Sequence, residues 1–136
     1  GKGMTPAQLS MLLYTQSGLL GVSGISPDMA VLEASAAPAA GQSIDLFCYR
    51  AANELTALAT ANGGLDAIVF TAGIGERSAR VRAAICERLA WLGVRLDPDA
   101  NAAHAMRISA DSSATEVLVI ATDEEVVIAD ATRRWA

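Results

Sequence analysis

The sequence has 136 residues, the length of one domain, and is 52% hydrophobic with only 18% charged residues. This balance excludes an intrinsically disordered chain, which combines low hydrophobicity with high net charge. The formal net charge is −5 and the ten lysines and arginines are scattered, so the sequence lacks the basic stripe of a nucleic-acid-binding domain.

The stretch from residue 3 to residue 27 contains no charged side chain. Glycines, prolines and polar residues interrupt it, so we do not expect a membrane-spanning helix. The two cysteines, Cys48 and Cys86, are far apart, and with a single histidine the chain cannot supply a four-ligand structural zinc site from cysteine and histidine alone. We expect two buried free thiols, which suits a reducing cytoplasm.

The first half of the chain is predicted to be mostly helical. Thr5 and Pro6 form an N-cap and first-turn proline, and the segment 17–26 contains three glycines, a density typical of a structured loop. The predicted elements are a helix ending before Gly18, a loop over 17–26, a short helix over 26–35, a linker turn over 36–41 and a long amphipathic helix ending near residue 62.

The second half predicts alternating strands and helices. The segments 66–71 and 116–121 are short and apolar, as expected for strands buried on both faces. Between them we predict a helix that carries Val81, Ile85, Leu89 and Leu92, a short strand over 94–96 and a brief helix from Asp97 toward His104. Thr122 and Asp123 cap a last helix. This order predicts an α/β fold with a mostly parallel sheet and packed helices in a single domain over residues 1–136.

A glycine-rich turn, Thr71 to Glu76, connects the first predicted strand to a helix. Glycine lets the backbone approach a ligand closely, and a helix start offers free N–H groups to a phosphate. A side chain at Gly75 would then obstruct the ligand. A tight strand-to-helix turn without a ligand is the equal alternative.

An acidic cluster follows the second predicted strand, at Thr122, Asp123, Glu124 and Glu125. Acidic residues in a first helical turn are ordinary capping residues. If the two strands are parallel, however, this cluster and the glycine-rich turn meet at one sheet edge, where ligands of open α/β sheets bind. A carboxylate there would suit Mg²⁺.

Other polar and aromatic residues are interpreted as structural. The arginines that follow the glycine-rich turn, Arg77, Arg80 and Arg82, spread around a helix and are expected on a solvated surface. His104 is expected in a surface or capping role, and Trp91 and Trp135 are expected to pack.

Four segments in one order resemble the acetate kinase family. Ser17–Ala30 (SGLLGVSGISPDMA) is similar to the family segment SGLLGLSG-x-S-x-DMR, and Asp66–Ser78 (DAIVFTAGIGERS) is similar to D-x-x-x-FTGGIGENS. Trp91–Asn101 (WLGVRLDPDAN) is similar to LG-x-x-LD-x-x-x-N, and Val117–Ala129 (VLVIATDEEVVIA) to V-x-VI-x-TNEEL-x-IA.

The resemblance implies a ribonuclease H-like fold, of the sugar kinase, Hsp70 and actin superfold, and transfer of the ATP γ-phosphoryl group to acetate with ATP/ADP and Mg²⁺. It also implies a cytoplasmic homodimer whose N-terminal domain, with the acyl-facing half of the site, lies outside this chain. The isolated chain is therefore expected to be inactive. The implied nucleotide-binding residues are Asp28, Met29, Gly73, Ile74, Gly75, Glu76 and Arg77, and the implied magnesium-associated carboxylate is Glu124.

Four polar or glycine positions of the family pattern are changed. Ala30 replaces the arginine of DMR, Ala72 replaces a glycine, Arg77 replaces an asparagine, and Asp123 replaces the asparagine of TNEE. Loss of the arginine removes a cation near the expected nucleotide. The alternatives are a dinucleotide-binding domain, since Gly73 to Ser78 reads G-x-G-x-x-S, and a truncated relative that folds without catalysing a reaction.

Overall fold

The structure is a computed structural model that describes residues 3–135; at positions 124, 125, 127, 128 and 130 it describes the backbone alone. The chain divides into two compact units between Thr60 and Ala61. The described residues contain no helix that is both long enough and apolar enough to cross a membrane.

The first unit is helical. Its helices are α1 (Pro6–Thr15), α2 (Gly18–Ser23), α3 (Met29–Glu33) and α4 (Pro38–Asn62), the last of which continues two residues beyond the division. A capping box starts α1: the Gln8 backbone N–H donates to Thr5 Oγ1 (3.3 Å), and the Thr5 N–H donates to Gln8 Oε1 (2.9 Å). The predicted N-cap is confirmed.

The loop predicted over residues 17–26 is wrong, because α2 occupies most of it. Its glycines act locally. Gly18 and Gly24 have positive φ angles at the two ends of the helix, and the Gly24 N–H donates to Leu20 O (2.7 Å) as a C-terminal cap. A Cβ on Gly21 would lie 2.8 Å from Gln16 O, so glycine is required there for close backbone approach.

The core of this unit lies mainly along α4. That helix begins at Pro38, inside the segment predicted as a linker, because proline suits the first helical position. Small and medium side chains recur on one face of α4, mostly at intervals of three or four residues. The buried residues of α4 are Ala40, Ser43, Ile44, Cys48, Ala52 and Ala59, and those of α3 are Met29 and Leu32.

The second unit contains the sheet. Its elements are β1 (Ala67–Phe70), α5 (Ala72–Arg77), α6 (Ala79–Arg88), a 3-10 turn (Ala90–Leu92), α7 (Pro98–Ala102), β2 (Glu116–Val119) and α8 (Glu124–Arg133). The two strands pair in parallel, with Ala67 opposite Glu116 and Phe70 opposite Val119. The parallel sheet with packed helices confirms the predicted α/β class.

Burial on both faces of β1 was a wrong prediction for this chain. Ile68 (3% exposed) and Phe70 are buried, whereas Val69 is 50% exposed. The alternation shows that the described elements cover only one face of the strand. The predicted strand over 94–96 is also absent: an isolated antiparallel bridge joins Leu96 and Ser109 instead.

Both cysteines are buried and neither forms a disulfide, as predicted. Burial raises the pKa of the Cys86 thiol to about 12, although the nearby Arg82 acts in the opposite direction. The packing role expected for the tryptophans is wrong within the described chain, because Trp91 is 70% exposed and Trp135 is 92% exposed.

Candidate functional site

The carboxyl ends of β1 and β2 lie side by side. The register pairs Phe70 with Val119, and the next residue, Ile120, donates its N–H to Phe70 O (2.9 Å). The segments that follow the two strands therefore leave the same sheet edge. Both sequence signals, the glycine-rich turn and the acidic cluster, are brought to this edge.

A carboxylate joins the two segments. Glu76 Oε1 accepts hydrogen bonds from the Thr122 backbone N–H (3.0 Å) and from Thr122 Oγ1 (3.3 Å). The bond from the Thr122 N–H is the largest influence on this carboxyl group and lowers the pKa of Glu76, since it favours the ionised form. The Glu76 side chain thus fixes the start of the acidic cluster against the glycine-rich turn.

The glycine-rich turn is itself a short helix, α5, which begins at Ala72. Ala72 has a φ of 58°, a left-handed conformation that side chains with a Cβ rarely adopt. This is one of the positions where the family pattern has glycine. The backbone here follows the path that glycine allows, and alanine adopts it under strain.

The two glycines of α5 face different surroundings. A Cβ on Gly75 would lie 3.3 Å from the carbonyl carbon of Phe70, so glycine at this position allows the helix to pack against the end of β1. A Cβ on Gly73 would meet no atom within 4 Å. The expectation that a side chain at Gly75 would obstruct a ligand is therefore wrong in its reason, and the open position is Gly73.

Arg82 is fully buried, so the prediction that it lies on a solvated surface is wrong. Four of its five N–H groups donate to oxygen acceptors, and the fifth faces a ring nitrogen of His104. Nη1 donates to the Gly75 and Glu76 carbonyls (both 2.9 Å), Nε and Nη2 donate to Asn101 Oδ1 and O (both 2.8 Å), and Nη2 lies 3.3 Å from His104 Nδ1. Burial lowers the pKa of Arg82. The guanidinium joins two C-terminal carbonyls of α5 to the side chain and backbone carbonyl of one α7 residue, Asn101.

Asn101 and His104 complete this buried network. Asn101 Nδ2 donates to Ala79 O at the start of α6 (2.9 Å), and His104 Nδ1 lies 3.0 Å from Glu76 O. His104 has a φ of 52° and an exposed ring, in keeping with the predicted surface or capping role. Sequence reasoning missed Asn101, although this asparagine ends the third resemblance segment and so carried a signal.

One residue of the acidic cluster caps a helix, and the side chains of two others are not described. Asp123 caps α8, since its Oδ1 accepts from the Val126 N–H (3.0 Å). Glu124 is the first residue of that helix, and its side chain, the predicted magnesium-associated carboxylate, lies outside the described residues, as does that of Glu125. Among the described side chains no group of three or more His, Cys, Asp or Glu residues could hold a metal ion.

The remaining predicted nucleotide residues lie in both units. Ile74 is half-buried and Arg77 is exposed, both in α5. Asp28 and Met29 belong to the first unit: the Asp28 carboxylate caps α3 by accepting from the Ala30 N–H (2.8 Å), and the Met29 side chain is buried. Their nucleotide roles stay predictions.

The model of the Acetokinase family matches residues 1–130. The chain belongs to this family. An acetate kinase of Rhodopseudomonas palustris (strain TIE-1) is 56% identical over 130 residues, which cover 94% of this chain and 33% of that protein. A propionate kinase of Citrobacter rodentium is 47% identical over 131 residues. The chain spans about a third of the length of the curated relatives that it matches.

Solved structures agree with this membership. A crystal structure of Porphyromonas gingivalis acetate kinase superimposes with a TM-score of 0.89 at 34% identity, covering 98% of this chain and 35% of that chain. A propionate kinase from Francisella tularensis gives a TM-score of 0.87 at 35% identity, covering 93% and 33%. Membership of the acetokinase family contradicts the alternative of a dinucleotide-binding domain.

Proposed function

We propose that this chain forms the nucleotide-facing part of a phosphotransferase that passes the ATP γ-phosphoryl group to a short-chain carboxylate, acetate or propionate. The observation that carries the proposal is the junction at the sheet edge, where Glu76 binds Thr122 and holds two resemblance segments together. Membership of the acetokinase family and the names of the relatives, acetate kinase and propionate kinase, support the reaction type.

The nucleotide would approach the sheet edge at α5. Gly73 leaves open space where a side chain would stand, and it is exposed. Ile74, Gly75, Glu76 and Arg77 complete this helix. Arg77 replaces the family asparagine, and its charge would attract phosphate.

Mg²⁺ would be held near the start of α8. Magnesium in nucleotide sites is commonly bound through one or two carboxylates, with phosphate oxygens and water as its other ligands. Glu124, the first residue of α8, would supply one such carboxylate. The metal would neutralise phosphate charge during transfer.

The isolated 136-residue chain would not catalyse the reaction, because it corresponds to about a third of its relatives. The choice between acetate and propionate would be made by residues of the remaining two thirds. The cytoplasmic location and the homodimeric state implied by the resemblance stay predictions.

An exchange experiment tests the proposal. Residues 1–130 would replace the matching segment of the R. palustris acetate kinase, and acyl phosphate formation from ATP, Mg²⁺ and acetate or propionate would be measured by hydroxamate trapping. We expect the exchange chimera to be active and the isolated chain to match a blank without enzyme. A folded chimera without activity would overturn the proposed function. Turnover by the isolated chain would overturn the proposal that catalysis needs the part of the relatives that this chain does not cover.

A further inference from the structure

The buried guanidinium of Arg82 lies beneath the glycine-bearing helix α5. It donates from one nitrogen, Nη1, to two successive carbonyls of that helix, those of Gly75 and Glu76, both at 2.9 Å. These are carbonyls near the C-terminus of α5, where helical partners run out and where a cation is favoured by the helix dipole. Arg82 therefore caps the end of α5 that points away from the start of the helix at the sheet edge.

The other side of the guanidinium is fixed just as firmly. Nε and Nη2 donate to the side chain and the backbone carbonyl of Asn101, both at 2.8 Å. Asn101 is itself only 6% exposed and is tied to α6 through Ala79 O. A planar group with five donors in fixed directions can join three helices in this way, whereas an ammonium group cannot.

His104 closes the network at the surface. Its Nδ1 lies within hydrogen-bond distance of both Arg82 Nη2 (3.3 Å) and Glu76 O (3.0 Å). A single ring nitrogen either accepts from Arg82 or donates to the Glu76 carbonyl, according to the tautomer. When Nδ1 donates, the ring binds the residue whose carboxylate binds Thr122; when Nδ1 accepts, the ring contacts that residue only through Arg82.

From these contacts we infer that Arg82, anchored by Asn101 and His104, is a positioning residue that sets the place of α5 at the sheet edge and through it the affinity for ATP. The inference rests on the proposed function. Arg82 does not touch the nucleotide; it acts through the backbone of Gly75 and Glu76. A change in this network would therefore displace the binding surface without removing any residue from it.

The experiment uses the exchange chimera with Arg82→Lys and, as a matched control, Arg80→Lys, since Arg80 lies on the same helix and is exposed. We expect Arg82→Lys to raise KM for ATP about tenfold or more, as loss of charged hydrogen bonds allows. KM for acetate should stay unchanged, and kcat should change less than KM. Arg80→Lys should match the parent. Unchanged KM for ATP with a lower kcat would show a merely structural role and overturn the inference.

A milder pair of variants covers the case in which Arg82→Lys does not fold. His104→Asn keeps an acceptor and tolerates the positive φ, whereas His104→Gly tolerates it without any side-chain contact. We expect KM for ATP to rise more in His104→Gly, with faster hydrogen exchange at the amides of α5 and unchanged exchange in β2. Equal KM values and equal exchange in the pair would overturn the inference. An inactive parent chimera would instead refute the proposed function on which it rests.

Discussion

The glycines of α5 allow a paired substitution whose two outcomes have different physical causes. Gly73→Ala adds a Cβ that meets no atom within 4 Å, whereas Gly75→Ala adds one 3.3 Å from the carbonyl carbon of Phe70 and 3.5 Å from its Cα. Both changes exchange glycine for alanine within one helix. The gain in helix propensity, up to about 1 kcal/mol, therefore largely cancels when the two variants are compared.

The difference between the variants reports the contact with Phe70. Forcing an extra methyl group into a packed site costs about 1–3 kcal/mol, so Gly75→Ala should be less stable than Gly73→Ala by this amount. With a urea m-value of about 2 kcal/mol/M, a difference of about 2 kcal/mol separates the unfolding midpoints by about 1 M. Gly73→Ala itself should be at least as stable as the wild type.

Urea unfolding followed by circular dichroism measures both variants on the 136-residue chain. Equal midpoints would mean that the end of β1 yields without cost to a Cβ at position 75. A Gly75→Ala variant more stable than Gly73→Ala would refute the assignment of Gly75 to packing and of Gly73 to open space.

Ala72, Glu76 and Cys86 each allow a further test of the second unit. Ala72→Gly should raise the free energy of unfolding by about 0.5–1 kcal/mol in thermal melts, because the relief of the left-handed backbone strain exceeds the greater entropy that glycine loses on folding. A less stable Ala72→Gly variant would show that Ala72 is not strained. The lowered pKa of Glu76 means that its ionised form stabilises the fold above its ordinary pKa of 4.5, and that this contribution is lost as the pH falls through the lower folded-state value. The stability advantage of wild type over Glu76→Gln should therefore shrink in unfolding curves between about pH 5 and pH 3, and an advantage that grows there would contradict the bond to Thr122. With a pKa raised to about 12, the Cys86 thiol should resist iodoacetamide at pH 8 until the protein is unfolded, and rapid labelling of the native chain at this residue, located by mass spectrometry, would contradict its burial.

Local signals in the sequence predicted most of the helix caps and the two strands of the sheet. The second helix was expected to begin at Ser26, but Asp28 is its cap. Thr5, Asp97 and Asp123 were expected to begin helices, and each accepts a hydrogen bond from the first turn of its helix. These predictions hold because a cap depends on residues three or fewer positions away. The parallel pairing of the two strands also followed from the alternation of strands and helices.

Long-range packing explains the predictions that were wrong. The number of glycines in the segment 17–26 suggested a loop. In the structure two of them, Gly18 and Gly24, lie at the two ends of α2, where glycine is compatible with a helix. Arg82 was assigned to the surface because a charged residue is rarely buried without partners. Its main partner, Asn101, is 19 positions away in the chain, and periodicity along a single helix carries no information about it.

The approach of ATP to Gly73 is the central claim, and one comparison of kinetic constants tests it most directly. In the exchange chimera, Gly73→Val would place a branched side chain in the open space at the sheet edge. Gly41→Val serves as the matched control, because Gly41 also lies within a helix and a Cβ there would meet no atom within 4 Å. We predict that Gly73→Val raises KM for ATP about tenfold or more, equivalent to about 1.4 kcal/mol, and leaves KM for acetate unchanged. The Gly41→Val chimera should have the parent's KM for both substrates. A folded, active Gly73→Val chimera with the parent's KM for ATP would contradict the claim.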